Sequence, residues 1–197
     1  MKQPVLIVIA GPNGSGKTSI TEKILKHDWV ENCLYINPDN IARDTFGDWN
    51  SPEAVIKAAV LTEKMREECL QTRRSLIFET VMSASEKIDY ILRAKSAGYF
   101  IRLFFISTDS PAINSSRIAR RVMEGGHDVP ISKIISRYSK SIANCCTLAS
   151  HVDRFYCYDN STDFADPKLL FRTSEGLLVK QYYKINQWAA PIFQLFE

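Results

Sequence analysis

Gly11-Pro12-Asn13-Gly14-Ser15-Gly16-Lys17-Thr18 has the spacing GxxxxGK[ST], a pattern able to cradle the phosphates of a nucleoside triphosphate. Glycines let the backbone turn sharply and bring its N–H groups onto phosphate oxygens. A helix starting at the loop adds the positive end of its dipole. Lys17 has the reach for the β- and γ-phosphates, and the Thr18 hydroxyl is a ligand for Mg²⁺. Gly11, Pro12, Asn13, Gly14, Ser15, Gly16, Lys17, Thr18 and Ser19 are therefore candidate residues for ATP, with Thr18 also the candidate metal ligand. A chain of this length meets the pattern by chance roughly once in a hundred cases, so the match carries weight.

Binding a triphosphate does not define what receives a phosphoryl group. Asp39 follows Asn37-Pro38 and is the leading acceptor-side candidate, because a carboxylate there could take the proton of an attacking hydroxyl. Its competing role is as the N-cap of a helix through Asn40-Ile41-Ala42. Glu79 and Thr80 form a second polar pair that could hydrogen-bond a substrate. Arg117, Arg121 and Arg137 flank Gly125-Gly126-His127-Asp128-Val129-Pro130, and guanidinium groups suit the charge that moves in phosphoryl transfer. Arginines on two helices around a Gly-Gly hinge read as a mobile lid over about 117–137. Solvated basic helix faces show the same spacing. His127 beside Asp128 is as well explained by a loop-capping role as by a catalytic one.

The elements that must position these residues are visible as apolar runs. Val5–Ala10 is continuous and β-branched, the pattern of a strand buried on both faces, and it enters the glycine loop directly. Lys17–Lys26 reads as the following helix. Further strands are expected at 33–37, 75–78, 100–106 and 152–158, with helices at 52–73, 85–97, 110–124 and 130–148. A hairpin is expected over 168–172 and 177–180, and Trp188–Phe196 reads as a docked segment. Alternating strands and helices predict an α/β three-layer sandwich, with a mostly parallel five-stranded sheet and helices on both faces. In such sheets ligands bind beyond the carboxyl ends of the strands, where the glycine loop, Asp39, Glu79 and Thr80 all fall.

The 197 residues fit one domain, spanning 1–197, in which the lid and the hairpin-plus-tail at about 168–197 are appendages. A formal charge of +3 gives little support to a nucleic-acid partner. Cys33, Cys69, Cys145, Cys146 and Cys157 are odd in number and lack CxxC spacing, which disfavours structural zinc and a secreted disulfide framework. No apolar run approaches the roughly 20 residues of a membrane span. An apolar strand leading straight into the glycine loop leaves no room for a signal peptide, so the expectation is a cytoplasmic protein.

Four blocks in order resemble the zeta-toxin-like P-loop kinases: Gly11–Thr18; Ile36-Asn37-Pro38-Asp39; Leu76-Ile77-Phe78-Glu79-Thr80; and Arg117–Pro130 followed by Arg137-Tyr138. They cover most of residues 4–145, and the Gly-Gly-His-Asp-Val-Pro segment followed by Arg-Tyr is the more particular signal. The resemblance implies a P-loop NTPase fold like that of small-molecule kinases, with ATP and Mg²⁺ as cofactors. Zeta toxins phosphorylate a hydroxyl of UDP-N-acetylglucosamine. By position, Asp39 would be the base, Lys17 and Thr18 would serve ATP and Mg²⁺, and Glu79 and Thr80 would lie against the substrate. Arg117, with Arg121 or Arg137, would neutralise the transferring phosphate, and any antitoxin would be a separate protein. The third block reads Glu-Thr where zeta toxins proper have Glu-Gly-Thr, and the arginine spacing also departs from theirs. Two other readings stay open: a nucleoside or polynucleotide kinase, marked by salt-dependent oligonucleotide binding, and an ATPase or switch whose hydrolysis no metabolite accelerates.

Overall fold

The computed structural model describes residues 3–46, 51–126 and 128–197. The Val5–Ala10 run becomes β1, with Leu6 to Ala10 inaccessible to solvent, and it is an interior strand of the sheet. Its neighbours are β3 (Leu76–Thr80) on one side and β4 (Phe100–Ser107) on the other, both parallel to it. The register sets Ile9 beside Glu79 and Ala10 beside Thr80, so the candidate pair of β3 is brought to the mouth of the glycine loop. β2 (Leu34–Ile36) and β5 (Arg154–Asp159) extend the parallel sheet outward.

Two further strands make the sheet seven-stranded, where the sequence leads to an expectation of five. β6 (Lys168–Ser174) pairs antiparallel with β5, and β7 (Leu177–Gln181) pairs antiparallel with β6, giving the order β2-β3-β1-β4-β5-β6-β7. The hairpin is present, but it continues the sheet. Leu170, Phe171 and Thr173 are buried, and the open ladder of β5 supplies partners for the β6 backbone.

Helices cover both faces. α1 (Lys17–Ile24), two residues shorter than expected, packs Ile20 and Ile24 on Ile7, Ile9, Ile77 and Ile106. The opposite face, built from Leu6, Val8, Phe78, Leu103, Phe105 and Phe155, is covered by α4 (Ser85–Ser96), by α6 (Ile131–Leu148) and by the tail. α2 (Pro38–Phe46) and α3 (Pro52–Thr72) lie between β2 and β3 in sequence, and α5 (Pro111–Met123) follows β4. The tail docks through Trp188, Ala189 and α7 (Ala190–Phe193), whose Phe193 stacks edge-on against Phe171 at 5.0 Å. All five cysteines are free thiols. Among the described residues no helix is long and apolar enough to cross a membrane.

Candidate active site

The glycine loop owes its shape to positive φ angles and close approaches. Gly14 has φ +75° and Gly16 φ +91°, values at which a side chain is strained. A Cβ on Gly16 would stand 2.1 Å from Asn160 Nδ2, and one on Gly14 would stand 2.6 Å from the Asn114 carbonyl oxygen. These neighbours clamp the loop. Asn160 donates its amide to the Ser15 carbonyl at 2.9 Å, and Asn114 donates to the Asn13 carbonyl at 2.6 Å. Asn114 is wholly buried and accepts in turn from the Thr108 hydroxyl; Tyr138 donates to the Thr108 carbonyl at 2.6 Å.

The cradle fits a phosphate chain. Gly16 at the N-cap of α1 has no side chain to cap it, which leaves the first-turn N–H groups available to a ligand. The Ser15 hydroxyl is fully buried and, among the described residues, has no hydrogen-bond partner. The Lys17 ammonium donates to the carbonyl oxygens of Gly11 at 2.9 Å and Pro12 at 3.1 Å. Burial lowers its pKa to about 8; Arg121 adds to the effect, while Glu79 and Asp39 oppose it. Thr18 and Ser19 sit exposed on the first turn of α1.

The acceptor-side residues are organised by Asn37. Its Oδ1 accepts from the backbone N–H of Asp39 at 2.8 Å and of Asn40 at 3.4 Å, so Asn37 caps α2. Asp39 is thus not the N-cap, which was the competing role for it; Pro38 and Asp39 lie inside the first turn. The Asn37 amide nitrogen donates to Tyr35 Oη at 2.8 Å and toward Glu79 Oε1 at 3.4 Å, and Tyr35 donates to the same Glu79 oxygen at 2.7 Å. Desolvation raises the Tyr35 pKa, so the phenol stays a donor to Glu79. Thr80 is buried, and its hydroxyl accepts from the Met82 N–H at 2.9 Å, in a turn where Met82 takes a left-handed conformation.

The three arginines separate. Arg137 on α6 reaches the loop, donating to Asn13 Oδ1 at 3.2 Å. Arg121 on α5 lies in the field of Lys17 and against Gly126, where a Cβ would stand 2.6 Å from Arg121 Cγ. Arg117 instead pairs with Asp163 at 2.8 Å, joined by Arg120 at 3.3 Å. His127 lies outside the described residues. Sequence reasoning did not assign Tyr35, Asn114, Asn160 or Asp163. Asn160 had one available signal, its position just past the carboxyl end of β5.

With this geometry in place, the family model described as zeta toxin matches residues 1–165. The chain belongs to the zeta toxin family. A protein of Haemophilus influenzae without assigned function is 27% identical over 132 residues, which are 67% of this chain and 91% of that protein. A structure from the PezAT toxin–antitoxin system of Streptococcus pneumoniae matches with TM-score 0.63 at 18% identity, covering 100% of this chain and 79% of that one. A structure of AvrRxo1-ORF1 with AvrRxo1-ORF2 and ATP matches with TM-score 0.68 at 18% identity, covering 98% and 63%. A kinase-like protein of Chloroflexus aurantiacus matches with TM-score 0.53 at 17% identity, over 71% and 80%. The zeta toxin family member described above therefore has the α/β fold of the P-loop kinases.

Proposed function

We propose that this zeta toxin family protein is an ATP-dependent phosphotransferase that moves the γ-phosphoryl group to a hydroxyl of a small metabolite. One observation carries the reading: the β1–β3 register sets Glu79 and Thr80 at the end of the strand that enters the glycine loop, and Asn37 links Glu79 to the Asp39 turn. The charges of Glu79, Asp39 and Arg121 all act on the Lys17 ammonium, which supports placing the acceptor side next to the phosphates.

In this mechanism the glycine-loop amides, Lys17 and the α1 terminus hold the phosphates. Thr18 would hold Mg²⁺, which would supply positive charge against the phosphates. Among the described residues no group of three or more His, Cys, Asp or Glu could hold a metal ion by itself. Asp39 takes the proton of the acceptor hydroxyl as its oxygen bonds to the γ-phosphorus. The bond from that phosphorus to the β–γ bridging oxygen breaks, and ADP leaves. Glu79, oriented by Tyr35 and Asn37, accepts a second substrate hydroxyl. Arg121 and Arg137 stabilise the charge in transit.

A nucleotide sugar such as UDP-N-acetylglucosamine is the acceptor that zeta toxin membership favours, and a separate antitoxin protein is the corresponding partner. The PezAT and AvrRxo1 assemblies support that partner. The test is incubation with labelled ATP, Mg²⁺ and either UDP-N-acetylglucosamine or a metabolite extract. A labelled phosphorylated product is expected from the wild type and none from Asp39→Asn. Transfer by the variant at the wild-type rate would overturn the assignment.

A further inference from the structure

The sheet face on which α1 packs against β1 opens to solvent toward the β7 edge. There the register sets Phe104 of β4, Tyr156 of β5, Arg172 of β6 and Lys180 of β7 in one row. Exposure rises along it: Phe104 is buried, Tyr156 half-buried, and Arg172 and Lys180 exposed. The same face carries Arg102 beside Arg154 on β4 and β5. Among the described residues these four strands place four cations on this face and no carboxylate. Asp159, their one acidic residue, lies on the opposite face, where it accepts from the Trp188 indole at 3.2 Å.

These cations are set against one another. Arg172 and Lys180 are direct cross-strand neighbours, an arrangement in which like charges destabilise a sheet. Arg102 and Arg154 both lie over the Phe100 ring, at 5.0 and 5.6 Å. Of the carboxylates in the adjoining loops, Glu175 reaches only Arg154, at 3.8 Å, while Asp163 and Asp166 are held by Arg117 and Lys23. Asp28 and Glu31, on either side of Trp29 and Val30, are exposed to water, where screening weakens them. Among the described residues Arg102, Arg172 and Lys180 form no ion pair. A ladder of rings runs between the cations. Trp29, Phe104 and Tyr156 are stacked at 6.1 and 4.5 Å with planes within 5° of parallel. The stack therefore runs across the strands, and the outer face of Tyr156 turns toward β6 and its neighbour Arg172. Arg102 spans the ladder, over Trp29 at 4.7 Å and donating to Tyr156 Oη at 3.2 Å.

We propose that this face binds single-stranded nucleic acid. A base stacks on the outer face of Tyr156 and lengthens the ladder, while phosphates on either side meet Arg172 with Lys180 and Arg102 with Arg154. The cations alone would suit an acidic peptide equally; the ring face that ends the ladder beside Arg172 is what favours bases. A formal charge of +3 conceals such a site, because the cations are gathered on one face and the acidic residues lie elsewhere. The proposal does not rest on the phosphotransferase reading, since it uses none of the residues assigned there.

The test titrates a fluorescein-labelled oligothymidylate of about 15 nucleotides with the full chain and follows anisotropy. A non-hydrolysable ATP analogue and Mg²⁺ are present throughout, so that the glycine loop is filled. Saturable binding that weakens with salt is expected. Arg172→Gln and Lys180→Gln should each lower the affinity and reduce the slope of log affinity on log salt by about 0.7, the share of one phosphate contact. Tyr156→Ala should weaken binding about five- to hundredfold, as the loss of one stacked base requires, and Tyr156→Phe should retain it. Analogue affinity and melting temperature are measured for every variant, and neither should fall in Arg172→Gln or Lys180→Gln, whose side chains are exposed. These two variants decide the matter if Tyr156→Ala does not fold. Absence of saturable binding at about 50 mM salt, or equal affinity in wild type, Arg172→Gln and Lys180→Gln, overturns the proposal. So does a duplex of the same length that binds as tightly. Polyglutamate that displaces the oligonucleotide at equal charge also overturns it, and assigns the face to an acidic protein.

Discussion

Lys17 donates its ammonium to the carbonyl oxygen of Gly11, 2.9 Å away, across the loop that the two residues bound. Its pKa of about 8, against 10.5 for an ordinary lysine, gives nucleotide binding a pH signature. Between these values the unfolded chain keeps a proton that the folded protein has lost. The destabilising effect of the buried charge is therefore full below pH 8 and is relieved as pH rises toward 10.5. Phosphates need the charged form. Affinity for an ATP analogue should fall as pH rises above about 8, and binding at pH 9 should take up a proton. Calorimetry in buffers of different ionisation enthalpy measures this uptake, which should vanish in Lys17→Met. An affinity that stays flat from pH 7 to 9.5 would refute the role.

Asp39 is held in the first turn of α2 by the Asn37 cap, so its amide replacement should leave local structure intact. Asp39→Asn should reduce kcat for phosphoryl transfer by about 10²- to 10⁴-fold, the usual contribution of a general base. Equilibrium binding of an ATP analogue should be unchanged. Asn37→Ala should also lower kcat, because it removes both the cap and a donor to Glu79.

The arginine contacts rank their variants. Arg137 touches the glycine loop, whereas Arg117 is committed to Asp163. Arg137→Ala should reduce kcat by about 10²-fold or more, in line with the removal of one transition-state donor. Arg117→Ala should have the smaller effect on kcat. Steady-state kinetics of the two variants, once an acceptor is known, tests the ranking; a reversed order would place the transferring phosphate nearer α5.

Asn160 carries the loop from outside. Asn160→Ala leaves the Ser15 carbonyl without its donor and should destabilise the fold by about 1–3 kcal/mol, or roughly 2–4 °C in Tm for each kcal/mol. It should also raise the KM for ATP. Gly16→Ala should be worse, since its Cβ meets Asn160 and its φ of +91° is strained. Thermal unfolding with and without nucleotide separates the two effects.

The sheet was legible where burial is continuous: Leu6–Ala10, Leu76–Phe78 and Leu103–Ile106 are apolar runs that fit strands buried on both faces. The glycine loop was legible because its chemistry fixes four positions at once. Asn160, Asn114 and Tyr35 were not, because a single amide or phenol has no period or spacing to mark it. Asn160 meets Ser15 from 145 residues away, and only the assembled sheet brings them together. β6 was read as half of a small hairpin because Ser174-Glu175-Gly176 marks a turn between two short runs, and that pattern fits a detached or a sheet-bound hairpin equally; its pairing with β5 decides between them.

The indole N–H of Trp188 donates to Asp159 Oδ1 at 3.2 Å, and the next residue, Asn160, holds the phosphate cradle through Ser15. The protein thus carries its own optical gauge of the nucleotide site. Trp188 is buried, so its emission should lie to the blue of that from the more exposed Trp29. A tightening of the cradle around phosphates, passed through a single peptide link, would register as a change in Trp188 fluorescence intensity without any added label.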